Sequence, residues 1–176
     1  MRHAAEVDVG LRIVERLVRL EVARMRAVGV PAAQDNYRGL YLSEEEIDAL
    51  LSVPSDDGHA ARTDEFEAAR EASHAQAQLR ALTADAKGPL GRLIRLADLT
   101  PFEVGCLLLC LALDADLRFE RLFAYVQDDV TKRSPRVELA LRLLAAPAGR
   151  REARRAFSAE APLRRLRLLT LHGEPG

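Results

Sequence analysis

The sequence has no tryptophan and few aromatics of any kind, with three Tyr and five Phe in 176 residues. A core poor in aromatics must be built from Leu, Val and Ala, which favours helices over a β-sandwich. Hydrophobic residues still make up 48% of the chain. That suffices for one domain of ordinary size, or for a small domain with an N-terminal appendage. No long apolar run is present: the most apolar window, Val104 to Leu113, falls short of the roughly 20 residues that span a bilayer. Glu6, Asp8 and Arg12 interrupt any secretory leader, so a cytoplasmic location is expected. There is no Gly-x-x-x-x-Gly-Lys-Ser/Thr loop to cradle phosphates, and Lys87-Gly88 runs in the wrong order. The chain by itself is therefore expected not to hydrolyse ATP and to hold no cofactor.

The two cysteines, Cys106 and Cys110, lie four apart on one helix face among leucines. No His or second Cys pair stands at ligand spacing, so they read as small hydrophobes rather than a metal or redox site. His3, His59, His74 and His172 are scattered over separate elements with no base or nucleophile nearby. Net charge is −1, but it divides unevenly: from Thr131 onward 11 Lys/Arg face 4 Asp/Glu, a net of +7, leaving −8 before it. Either the two halves pair within the molecule, or the C-terminal end presents a basic contact surface.

Apolar residues at Leu11, Val14, Leu17, Val18, Val22, Met25 and Val28 follow helical spacing, and Gly29 with Pro31 ends that helix. Ser43 and Glu46 form a capping-box pair that opens a short helix through Leu51. Residues 1–51 thus read as an N-terminal helical segment, and 52–63 as a linker rich in Ser, Asp, Gly and Pro. Residues 64–87 read as an exposed Ala-, Glu- and Gln-rich helix with a thin stripe of Phe66, Leu79 and Leu82. Residues 88–176 read as a compact domain whose first helix points Leu90, Leu93, Ile94 and Ala97 inward.

Within that domain three helix starts follow one another. Thr100-Pro101 is a cap followed by an N1 proline, Asp116 caps a second helix to about Gln127, and Ser134-Pro135 repeats the device for a third, 135–146. Short amphipathic helices with tight connections are the material of helix-turn-helix and winged-helix modules. Pro147 and Gly149 mark a turn, Arg150 to Phe157 a further helical turn or two, and Leu163 to Leu171 the first strand of a wing. The returning strand is missing, which is expected of a truncated wing. The fold class is accordingly mainly α: a helical N-terminal appendage plus a winged-helix-like domain ending in a short β wing strand.

The stretch from Asp116 to Leu144, DLRFERLFAYVQDDVTKRSPRVELALRLL, closely resembles the winged-helix segment that precedes the ATPase module in a bacterial group of AAA+ ATPases. Some members of that group accompany phage-tail-like contractile injection systems. The helix before it, LTPFEVGCLLLCLALD, and the earlier YRGLYLSEEEID from Tyr37 are similar to two further patterns of the group, in the same order. Phe119, Leu113 and Val104-Gly105 depart from the usual Tyr, Pro and charged pair. The resemblance implies a non-catalytic interaction region that positions protein partners for an ATPase module. ATP and Mg would bind only in that module.

Asp114, Asp116, Asp128 and Asp129 read as a cap and ion pairs rather than an acid–base cluster, with Arg118, Arg121, Lys132 or Arg133 as counter-charges. Phe119, Leu122, Phe123 and Tyr125 fit a packed face better than a base-stacking platform. The alternative to protein interaction is DNA binding. The 135–146 helix would bury Val137, Ala140, Leu141 and Leu144 and expose Arg136, Glu138 and Arg142 to base edges. Arg150, Arg151, Arg154, Arg155, Arg164, Arg165 and Arg167 would then supply phosphate contacts. In either case these ten residues are the candidate interaction surface. Glu138 between two arginines, and the shortage of Asn, Gln and Ser, favour a protein partner, and no membrane partner is expected.

Overall fold

A computed structural model describes residues 4–27, 44–52 and 65–173 of the chain. The first helix, α1 (Ala4–Ala27), carries its apolar stripe inward as its spacing requires: Val14, Leu17, Val18, Val22 and Met25 are all buried. Around it are α2 (Glu44–Leu51), α3 (Glu65–Asp85), α4 (Pro89–Ala97), α5 (Pro101–Ala115), α6 (Arg118–Val126) and α7 (Val137–Leu144). Helix α1 packs against α3, α5, α6 and α7. It is therefore the centre of one continuous core rather than an appendage, because its apolar stripe needs several partners to be covered.

Helix α3 departs from its reading as an exposed helix. Ala75 and Leu79 are fully enclosed, and α3 makes its main contact along α1. Small side chains gave little periodic signal, yet they let two helices approach closely. Ser43, the expected cap of α2, and residues 53–63 of the expected linker lie outside the described residues.

Helix α5 is the hydrophobic pillar of the fold. Thr100 opens it with a full capping box: its hydroxyl accepts from the Glu103 N–H at 3.3 Å, and the Glu103 carboxylate accepts from the Thr100 N–H at 2.9 Å. Two glycines let neighbours approach. A Cβ at Gly10 of α1 would meet Leu108 at 2.6 Å, and one at Gly105 of α5 would meet Leu144 at 2.8 Å and Leu79 at 2.9 Å. Glu6 of α1 ties the α3–α4 turn, its Oε1 accepting from the N–H groups of Lys87 at 2.7 Å and Gly88 at 2.8 Å. That carboxylate sits where α4 leaves backbone donors unpaired.

Helix α6 begins on the carboxylate of Asp116, which accepts from the Arg118 N–H at 2.9 Å and from its guanidinium at 2.6 Å. Helix α6 ends in a Schellman turn, where the Asp129 N–H reaches the Ala124 carbonyl at 3.1 Å and the Asp128 N–H that of Tyr125 at 2.9 Å. Asp128 occupies the left-handed position, φ 50°, that such a turn demands. Asp is tolerated there better than most side chains.

The C-terminal part corrects the expected wing. Leu163–Leu171 contains no strand, and none occurs among the described residues. After 3₁₀ turns at Pro147–Gly149 and Arg154–Phe157, which flank α8 (Arg150–Ala153), the chain enters α9 (Pro162–Arg165). Pro162 at the first position presets φ for a helix. The chain then turns on Arg167, φ 55°, and the Leu169 N–H bonds back to the Leu163 carbonyl at 3.0 Å. A chain folded back on itself leaves no extended backbone there to pair.

Candidate interaction surface

Helix α7 is the element that would enter a DNA groove, and the fold encloses it. It spans eight residues rather than the expected 135–146, and Leu139, Ala140, Leu141, Leu143 and Leu144 are buried. Helices α1 and α5 pack against it, and α8 and the turn at Arg154–Phe157 also touch it. Its start is not capped by Ser134. Instead the Gln127 amide stitches the preceding loop together, donating to the carbonyls of Lys132 at 2.8 Å and Ser134 at 3.1 Å. The Gln127 Oε1 accepts from the Arg136 N–H at 3.0 Å. A side chain on α6 thus does what a local cap was expected to do. Nothing in the Ser-Pro signal distinguishes the two arrangements.

Arg142, expected to point outward, turns inward. Its Nε lies 2.9 Å from Oε1 of Glu21, although the N–H is not aimed at that oxygen, and its Nη2 donates to the Val126 carbonyl. Glu21 is among the few buried charged residues, only 5% exposed. Arg24 completes the network, donating to both Glu21 oxygens at 2.7 and 2.9 Å. Those hydrogen bonds push the Arg24 guanidinium further up from its ordinary pKa. Two cations around one carboxylate offset the cost of placing a charge where an isolated one would be expensive. The network joins α1, α6 and α7.

The remaining candidates sit differently. Arg136 and Glu138 are exposed at the start of α7. Glu138 faces Arg154 across 3.8 Å, and Arg155 pairs with Glu152 at 3.0 Å, both in the open. Such pairs contribute about 0–1 kcal/mol. Arg164 donates to the Phe157 carbonyl at 3.4 Å. Arg150 is half-buried, and its Nε finds no acceptor among the described residues. Arg151, Arg165 and Arg167 are exposed and carry no ion pair among the described residues. Structure therefore brings Glu138 and Arg154 together and draws Arg142 inward, while Arg136 stays at the start of α7 and the remaining arginines lie on the turns and short helices of residues 147–167.

That segment is held firmly. Leu163 is fully buried, and Phe157 stacks edge-on against Phe102 of α5 with centroids 5.8 Å apart. Among acids, Asp129 pairs with Lys132 at 2.8 Å and accepts from the Thr131 N–H and hydroxyl, which together hold its carboxyl well below the usual range. Burial pushes the Cys106 thiol up, with Cys110 and Glu103 adding to it, and likewise Cys110 with help from Asp114. The buried Cys106 is therefore inert, whereas Cys110 is exposed rather than packed, because the helix turns it to the outer face. No three His, Cys, Asp or Glu side chains converge as a metal site among the described residues. His74 and His172 are exposed, and His3 and His59 lie outside the described residues.

A winged helix domain of the variant type matches residues 7–176 by its family model. The chain belongs to that family. No curated protein and no solved structure matches it. This winged-helix chain is thus mainly helical, and domains of its kind serve DNA binding or protein interaction, so fold alone does not choose between them. No described helix of the winged-helix chain is long and apolar enough to cross a membrane.

Proposed function

We propose that this chain is a non-catalytic protein-interaction region of a cytoplasmic AAA+ ATPase, positioning partners or substrates for an ATPase module outside its own 176 residues. Two sequence stretches support the ATPase link, at Tyr37–Asp48 and Asp116–Leu144, by their resemblance to that group. The single observation that carries the protein-interaction reading is the enclosure of α7. A groove-reading helix needs a free face with base-contacting side chains at its N-terminal half. Helix α7 has five of its eight residues buried and Arg142 held by Glu21, which leaves at its start only Arg136 beside the acidic Glu138, a poor match to a phosphate-lined groove.

The alternative, a winged-helix DNA binder, is favoured by one specific feature: exposed arginines on the C-terminal turns with no ion pair among the described residues, which suit phosphate contacts. The two readings separate in a paired experiment. Reading the coding frame beyond Gly176 should reveal a Gly-x-x-x-x-Gly-Lys-Ser/Thr loop, and the 176-residue chain alone should show no ATP turnover. Titrating the chain into a labelled duplex should show only weak binding, with no preference among sequences. A frame without the loop would sink the ATPase assignment, and a tight sequence-specific complex would replace it with DNA recognition.

A further inference from the structure

Only part of the positive C-terminal half is neutralised inside the molecule. Of its cations, Arg142 meets Glu21 and Arg133 lies 3.9 Å from Glu120, so two cross to the acidic half. Lys132 pairs locally with Asp129, and Arg154 and Arg155 pair within the basic half itself. Among the described residues no ion pair reaches Arg136, Arg150, Arg151, Arg164, Arg165 or Arg167. Arg136 stands apart at the start of α7, Arg150 is half-buried and Arg164 bonds the Phe157 carbonyl, which leaves Arg151, Arg165 and Arg167 exposed on the C-terminal turns. Arg165 and Arg167 flank the turn ordered by Leu163 and the back-bond from Leu169, and Arg151 lies on α8, which packs on the Arg154–Phe157 turn as α9 does, so little conformational entropy remains to be lost on docking.

Two features of the α8–α9 corner decide the class of its partner. Leu166, flanked in sequence by Arg165 and Arg167, is 43% exposed, and Leu171 is 36% exposed. Apolar surface interleaved with guanidinium groups gains nothing from a phosphodiester backbone, which offers charge without greasy contact. It matches a protein segment that presents carboxylates and aliphatic side chains together, since Arg forks pair bidentately with carboxylates. The glutamates facing Arg154 and Arg155 also weaken attraction to a densely charged polyanion while leaving room for individual carboxylates. A lipid surface is less suited, because α9 has only four residues and presents no long amphipathic face.

We infer that the α8–α9 corner is a docking surface for an acidic, leucine-bearing peptide segment of a protein partner, seated on Arg151, Arg165 and Arg167 with Leu166 and Leu171 as its apolar contacts. This deepens the protein-interaction reading by assigning it a surface and a chemistry, and it rests on that reading. It does not depend on the ATPase link, which the coding frame tests separately.

The test pans a displayed library of random 16-residue peptides against the full chain, then measures selected peptides by fluorescence anisotropy. Enriched sequences should combine Asp/Glu with Leu, Ile or Phe, and their binding should weaken at least tenfold between 50 and 300 mM salt. The triple variant R151E/R165E/R167E should lose binding at least tenfold with its helical circular dichroism unchanged. L166S/L171S should weaken it several-fold while leaving the salt dependence in place. Enriched peptides without acidic excess, or equal binding by the triple variant, would overturn the assignment. So would a 20-base-pair duplex or phosphatidylserine vesicle that bound more tightly than the peptides and displaced them, moving the corner to nucleic acid or membrane.

Discussion

Arg142 and Arg165 are the same residue type in the same basic C-terminal segment, yet they have opposite fates. Arg142 sits between α1, α6 and α7 with Glu21 and the Val126 carbonyl, whereas Arg165 stands in solvent with no counter-charge among the described residues. The difference teaches that a run of positive charge is not one feature. Where a buried carboxylate from a distant helix is available, an arginine becomes a structural joint. Where it is not, the charge is left for something outside the molecule. The α1–α7 joint and the α8–α9 corner can be told apart by what their loss does.

The largest effect should come from breaking the joint. Glu21→Ala leaves Arg142 partly buried beside no carboxylate, and urea denaturation should show a loss of about 3–5 kcal/mol. The double variant Glu21→Leu with Arg142→Met should recover most of it, because a packed apolar pair replaces the ion pair without stranding a charge. If Glu21→Ala cost less than about 1 kcal/mol, near the value of an exposed pair, Arg142 would belong with the surface arginines after all.

Next in size is the Gln127 stitch. Its amide serves three carbonyls, those of Phe123, Lys132 and Ser134, while its oxygen takes the Arg136 N–H. Gln127→Ala should lower stability by about 1–3 kcal/mol, with hydrogen exchange accelerating first at the start of α7. A change confined to α6 would show that α7 has some other anchor.

The corner should behave in the reverse sense. Single reversals Arg151→Glu, Arg165→Glu and Arg167→Glu should each shift stability by no more than about 0.5 kcal/mol, as surface changes do. A loss approaching that of Glu21→Ala would mean these arginines are structural too, and the comparison would collapse.

The smallest effect is one of pH. Thr131 and Lys132 depress the folded-state pKa of Asp129, so the stability this adds is present above the unfolded carboxylate value of about 3.9. It is lost as pH falls through the lower folded value. The difference in midpoint between wild type and Asp129→Asn should therefore be flat near neutrality and shrink below about pH 4. A difference that persisted unchanged into strong acid would assign the effect to the Thr131 hydrogen bonds rather than to charge.

Much of the local architecture was legible in the residues. The cap at Thr100, the carboxylate cap at Asp116, and the stripe from Val14 to Met25 each depend on neighbours within a few positions. The candidate surface was legible only in part. Arg151, Arg154, Arg155, Arg164, Arg165 and Arg167 are exposed as their charge suggests, but Arg142 is not, because the carboxylate that holds it comes from the first helix. The alternating leucines of 163–171 mimicked a strand, and Pro162 together with the left-handed Arg167 overrode that pattern. Helix α3 was hidden for the opposite reason: alanine marks no face, although it packs one.

Composition and spacing by themselves determined that this protein is helical, where several helices begin, and which face of α1 must be covered. Those are consequences of short-range backbone hydrogen bonding and of apolar periodicity. Tertiary structure alone decided that α1 is the centre, that α7 is enclosed, and which arginines remain free. Each of those depends on which side chains from distant segments arrive within bonding distance, and burial makes that meeting far more consequential than the charge by itself.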